Sequence, residues 1–207
     1  MDNRREELRT NALRSLREHE VLMLDGHFDY GNGFHGPVYL NPHRLFRQPS
    51  LIWRLAQDLI EILPDPIVMQ TEVVAGPVMG GALLAHTVAG LLDGRRSLTH
   101  PPTSFAPLVQ DAAGKLTLRP FYRTVVSNRR VLLADDVRNT GETFARAKTA
   151  IEEAGGTVIA TAEICDRLEA MVDVGVPNFS LTEYKAPDNH PAKDCPLCRS
   201  GAPITSF

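Results

Sequence analysis

The run VLLADDVRNTGET, residues 131–143, sets two carboxylates, Asp135 and Asp136, directly behind an apolar stretch. Adjacent acids at the end of a buried strand repel each other and lose hydration, which is costly unless a ligand uses them. Val137 and Arg138 follow, and then Asn139, Thr140, Gly141, Glu142 and Thr143 open a predicted helix. The first N–H groups of a helix have no intrahelical partner and carry partial positive charge, so they receive anions. Gly141 lets an anion approach the backbone, and Thr140 and Thr143 add hydroxyl donors. The loop therefore suits a phosphate, and the acids upstream suit a pair of sugar hydroxyls or a magnesium ion. For the acid pair alone, a helix start whose carboxylates complement the dipole, capped by Thr140, stays open. A P-loop is excluded, because the chain has no Gly-Lys-Ser/Thr at this turn.

Such a loop must be carried by a strand–turn–helix unit, and the sequence holds several. Apolar strands are predicted at TEVVAGP (71–77), TSFAPLV (103–109), VLLA (131–134), GTVIATAEIC (156–165) and FSLTEY (179–184). Helices are predicted over 80–92 and 140–155, and over 3–20 with Leu8, Leu13 and Leu16 as a narrow stripe. Another runs from Pro49 through Trp53, Leu55, Leu59 and Ile62 until Pro64 stops it. Strands separated by helices predict an α/β, doubly wound, mainly parallel sheet with helices on both faces. Ligands of such sheets bind outside the carboxyl ends of the strands, where Asp135 and Asp136 stand. The glycine-rich LDGHFDYGNGFHGPVYLNP (24–42) reads as the strands and turns of a small hood, and QDAAGKLTLRP (110–120) as a mobile hairpin or loop. The tail after residue 185, rich in proline and polar residues, reads as an irregular segment packed on the domain. One domain is expected: helix and hood over 1–48, core over 49–185, tail over 186–207.

Composition narrows the partners. Of 207 residues, 22 are basic and 25 acidic, giving a net charge of −3 without a long run of either sign. No basic stripe marks a nucleic-acid binder, and no segment approaches the roughly 18 apolar residues of a membrane span. The N-terminus MDNRREELRT lacks the apolar segment of a signal peptide, so a cytoplasmic protein is expected. Three cysteines make no disulfide framework. Cys195-x-x-Cys198 is half a zinc site, which His190 and Cys165 could supplement.

VLLADDVRNTGET resembles the phosphoribosyl-pyrophosphate (PRPP) signature of type I phosphoribosyltransferases. VVAGPVMGGALLA (73–85) resembles that family's pyrophosphate loop and following helix. GHFDYGNGFHGPVYL (26–40) and ICDRLEA (164–170) resemble the hood and the carboxylate-reading segment of its orotate branch. The resemblance implies that Asp135 and Asp136 hold the ribose hydroxyls and magnesium, and that residues 137–143 hold the 5′-phosphate. Gly76, Pro77, Val78, Met79 and Gly80 would face the diphosphate. Arg167 would read the orotate carboxylate through paired N–H bonds, with Asn139, Tyr39 and His35 beside the base and Phe28 and Phe34 covering it. Lys115 would meet the departing pyrophosphate, supported by Arg119, in a homodimer whose subunits lend a loop cation to each other. Three features depart from the family. Residues 105–123 carry only Lys115, Arg119 and Arg123 where the orotate enzymes have an Arg- and Lys-rich loop, and Gly31 and Gly80 stand where lysines are common. Two alternatives to orotate transfer therefore stay open: a different acceptor base, and a PRPP-sensing regulator of the same fold.

Overall fold

The computed structural model describes residues 2–206 apart from 32, 97, 98, 170, 171, 186 and 188. Segments expected at 24–42, 164–170 and 186–207 thus each include positions outside the described residues. Helix α1 (Asp2–Glu18) buries Leu8, Ala12 and Leu16 at a four-residue spacing, one stripe of the helix. Four short strands follow: β1 (Leu22–Met23), β2 (Phe28–Asp29), β3 (Phe34–Gly36) and β4 (Tyr39–Leu40). A 3-10 turn over Pro42–Arg47 leads to α2 (Pro49–Ile62), where Pro49 occupies a first-turn position that needs no N–H. Pro64 ends α2, as expected, but Pro66 then starts a short further helix, α3 (Asp65–Gln70), that the apolar pattern does not reveal.

The core alternates: β5 (Val73–Pro77), α4 (Gly80–Asp93), β6 (Ser104–Gln110), β7 (Leu116–Thr117), α5 (Pro120–Val126), β8 (Arg130–Arg138), α6 (Glu142–Glu152), β9 (Thr157–Asp166) and β10 (Asn178–Glu183). The sheet order is β10-β9-β8-β5-β6-β7, with every neighbouring pair parallel except β6 and β7. Side chains alternate across it with a period of two. Val74, Leu132 and Ala134 pack under α1, α2 and α4, whereas Val73, Ala75, Val131 and Leu133 pack under α5 and α6. Both faces are covered, which is why these strands read as continuous apolar runs. The doubly wound α/β expectation holds.

The 110–120 segment forms the expected hairpin, though its second strand differs from a free loop in being packed into the core. Leu116 and Leu118 are buried in the cluster that includes Phe144 of α6. Burial of two leucines stabilises this hairpin by several kcal/mol (about 1.5–3 each). Only its tip is exposed, and there the Asp111 carboxylate accepts the Ala113 and Lys115 N–H groups at 2.9 Å each. The tail differs as well. It forms β11 (His190–Pro191), a 3-10 turn over Ala192–Asp194, and α7 (Pro196–Arg199). Strand β11 pairs with β3, and β3 with β2, while Thr205 exchanges backbone bonds with His27 and Asp29. The hood is therefore a joint product of residues 22–40 and the tail.

Candidate active site

Strand β5 leads through α4 to β6 on one side, while β8 lies on its other side. The strand order reverses between β5 and β8, and a crevice opens there at their carboxyl ends. Two helices, α4 and α6, start at this point with their free N–H groups. Asp135 and Asp136 lie between them, 7% and 9% exposed. Alternation along β8 sends their side chains to opposite sides of the sheet. A side chain at Gly80 would collide with the Asp136 carboxylate, and one at Gly81 would stand 2.7 Å from Asp135 Oδ1. Position 80 therefore has no room for a lysine; the glycine there is what lets α4 close on the acids.

Few protein donors serve the acids. Asp136 N–H donates to Asp135 Oδ1 at 2.9 Å, and Val137 N–H to Asp136 Oδ1 at 2.8 Å. Burial, and then the Asp136 charge, push the Asp135 carboxyl well above its usual range. Burial also raises Asp136, against its hydrogen bonds and the nearby His43. Such a pair is suited to a magnesium ion: hard carboxylate oxygens, short of donors, that a dication would hold ionised.

Downstream, a cleft of about 310 Å³ runs over residues 137–144, bounded by Asp135 and Glu169. Gly141 caps α6 in the left-handed conformation (φ 85°), which glycine adopts without strain. The buried Arg138 guanidinium lies beneath it, 3.1 Å from where a Gly141 side chain would begin. Glu142 N–H donates to the Thr140 hydroxyl at 3.4 Å. The structure thus brings residues 135–143 together, with residues 76–80 beside them. The Val78–Met79 peptide is cis, and both side chains are exposed.

Above the loop, Arg167 donates from its backbone to Arg138 O at 2.9 Å and from Nη1 to Asn139 Oδ1 at 3.2 Å. Its Nη2 meets Glu169 at 3.1 Å. Tyr39 lies in the hood with its ring stacked on Tyr30, centroids 6.1 Å apart. Tyr30 donates its hydroxyl to Val38 O at 2.6 Å. Burial raises the Tyr30 phenol, and the Arg167 charge works against that rise, which sets this hood residue near Arg167.

The structure separates several expected residues from this site. His35 is buried with its ring among His27, Cys195 and Cys198, so it does not face a base. Lys115 Nζ is held by both Glu153 oxygens at 2.9 Å, beyond the far end of α6. An 11-residue helix is about 16 Å long, so Lys115 stands far from its own chain's aspartates. Arg119, exposed, caps α5 through its carbonyl and is likewise not gathered. Finally, Cys165 belongs to the sheet core with its thiol pushed up to about 12 by burial, and neither it nor His190 joins the tail cysteines.

Sequence reading missed His43, Tyr30 and Glu163. Nothing local marks His43 or Tyr30. Glu163 was legible as a lone acid in the apolar TVIATAEIC. It pairs in register with Asp135, and its Oε1 accepts Asn178 Nδ2 at 2.8 Å and the Ser180 hydroxyl. Burial pushes its carboxyl up to about 7.

Buried strand-end carboxylates beside a cleft at the start of α6 define a site fit for a phosphorylated sugar. The family profile described as "Phosphoribosyl transferase domain" matches residues 44–194. A protein of Rhizorhabdus wittichii named "Orotate phosphoribosyltransferase" is 34% identical over 180 residues, 87% of this chain and 86% of that protein. One of the same name from Thermus thermophilus is 32% identical over 88% of this chain and 92% of its own length. The chain belongs to the phosphoribosyltransferase family, as its signature run led us to expect. Among solved structures, the orotate phosphoribosyltransferase of Aeropyrum pernix superposes with a TM-score of 0.66 at 20% identity, covering 83% of this chain and 93% of that one. At that identity the likeness speaks for the fold.

Proposed function

We propose that the protein transfers the phosphoribosyl group of magnesium-bound PRPP to orotate, giving orotidine 5′-monophosphate and pyrophosphate. The observation that carries this reading is the buried Asp135–Asp136 pair set between two helix N-termini, with Arg167 and Asn139 joined above it. The names of the curated relatives support orotate as the acceptor. Residues 137–143 hold the 5′-phosphate through backbone N–H groups, and residues 76–80 receive the diphosphate. Asp135 and Asp136 orient the ribose hydroxyls and offset positive charge developing at C1 as pyrophosphate leaves and the base nitrogen bonds to it. Both aspartates would hold magnesium, which supplies charge neutralisation to the diphosphate. Arg167 pairs with the orotate carboxylate in place of Glu169, and the hood excludes water. Lys115 and Arg119, distant from their own aspartates, support a homodimer in which each hairpin serves the other subunit.

The test is pyrophosphate release from PRPP and magnesium, against orotate, uracil, the purine bases and no base. Release with orotate alone is expected; release with another base would move the acceptor. The cation-poor loop, with Lys115 paired to Glu153, favours a second reading, a PRPP-binding regulator. Tight PRPP binding without release on any base would establish that one instead.

A further inference from the structure

A cluster outside the reaction site carries chemistry of its own. His27 and His35, which flank β2 and the following turn, meet Cys195 and Cys198 of the tail, with the four ligand atoms all within 4.8 Å of one another. His27 Nε2 lies 3.3 Å from His35 Nδ1, 3.6 Å from Cys195 Sγ and 3.5 Å from Cys198 Sγ. His35 Nδ1 lies 3.3 Å from Cys198 Sγ. Around one zinc ion with bonds of about 2.05 Å to nitrogen and 2.3 Å to sulfur, tetrahedral edges are about 3.4 Å (N–N) and 3.6 Å (N–S). The four observed separations match those edges.

Contacts on the outer side of each imidazole bear on whether the four side chains are a ligand set. His27 Nδ1 lies 2.9 Å from the Ala202 carbonyl, an acceptor, so Nδ1 carries the proton and Nε2 a lone pair. Asp29 Oδ1 stands 3.8 Å from His35 Nε2, too long for a hydrogen bond but on the ring edge away from the cluster. Two inward ring nitrogens then face each other beside two sulfurs. Thiol S–H groups are weak donors, whereas one dication engages both nitrogens and both sulfurs at once. A carbonyl and a carboxylate behind the imidazoles are also what orients histidine ligands at metal sites. Two thiolates and two imidazoles in a tetrahedron select zinc.

We propose that His27, His35, Cys195 and Cys198 form a structural zinc site that fastens the tail to the hood. Binding displaces the two thiol protons to solvent, and no redox step is involved. The site is closed by four protein ligands, so it is not a catalytic metal. It is independent of the reaction proposed above.

The test uses the full chain expressed with zinc and without an affinity tag that binds metal. Elemental analysis should give about one zinc per chain, and the Cys195→Ser/Cys198→Ser double variant should retain less than a tenth of it. Because that variant could fold poorly, the wild type is also exchanged with cobalt(II). Strong visible d–d bands with thiolate charge-transfer absorption in the near ultraviolet are expected of a four-coordinate Cys2His2 centre. A His35→Gln variant should weaken those bands, and a strong chelator should lower the wild-type melting temperature but not that of the double variant. A zinc-free wild type with a Cys195–Cys198 disulfide, or with two thiols that give no cobalt bands, would overturn the proposal.

Discussion

At the scale of single residues, the site is held in a state that costs stability until ligand arrives. Asp136 is buried beside a like charge, with its carboxyl raised by burial. Asp136→Asn should therefore leave the unliganded protein as stable as wild type or more so, while weakening magnesium–PRPP binding at least about tenfold, 1.4 kcal/mol, in calorimetry. A variant that binds as tightly as wild type would remove the aspartates from the ligand site. Glu163 makes a pH-dependent claim. Its folded value of about 7 lies above the ordinary 4.5, so its contribution is present below 4.5 and lost as pH rises towards 7. That rise corresponds to about 3 kcal/mol. Glu163→Gln should remove this slope, so that urea melts of variant and wild type differ most above pH 7, in favour of the variant; parallel profiles would contradict the assignment. Arg167→Ala should raise KM for orotate by 1.5–3 kcal/mol, about 10- to 100-fold, with PRPP affinity unchanged. A PRPP affinity that falls equally would make Arg167 part of the phosphate loop instead.

At the scale of elements, legibility followed locality. The strands and the phosphate-loop helix were readable because their apolar runs, glycines and hydroxyls act on immediate neighbours: VLLADD needs only β8 and the start of α6. The hairpin at 110–120 was legible as a turn but not as part of the core, because its polar tip hides Leu116 and Leu118, whose partner, Phe144, lies some distance along the chain. His35 was misread for the same reason. Only the return of Cys195 and Cys198 along the chain shows that its ring is turned into the hood. Lys115→Ala should cost under about 1 kcal/mol of stability, since both partners of its ion pair are half exposed. Any loss of turnover by that variant then reports chemistry and not folding.

At the scale of the whole molecule, the distance of Lys115 from its own aspartates turns into a complementation experiment. In the homodimer proposed above, the Lys115→Ala and Asp136→Asn proteins, each impaired, should regain about a quarter of wild-type activity when mixed and allowed to exchange, because half of the resulting dimers would carry one intact site. No recovery would mean that each subunit works with its own loop. The hood has a consequence of a different kind, in what holds it. His27 meets Ala202 across 175 residues of chain. The hood takes its third strand and two of its four cluster residues from the tail, so a backbone cut just before His190 should loosen the hood while leaving the six-stranded sheet with every one of its strands.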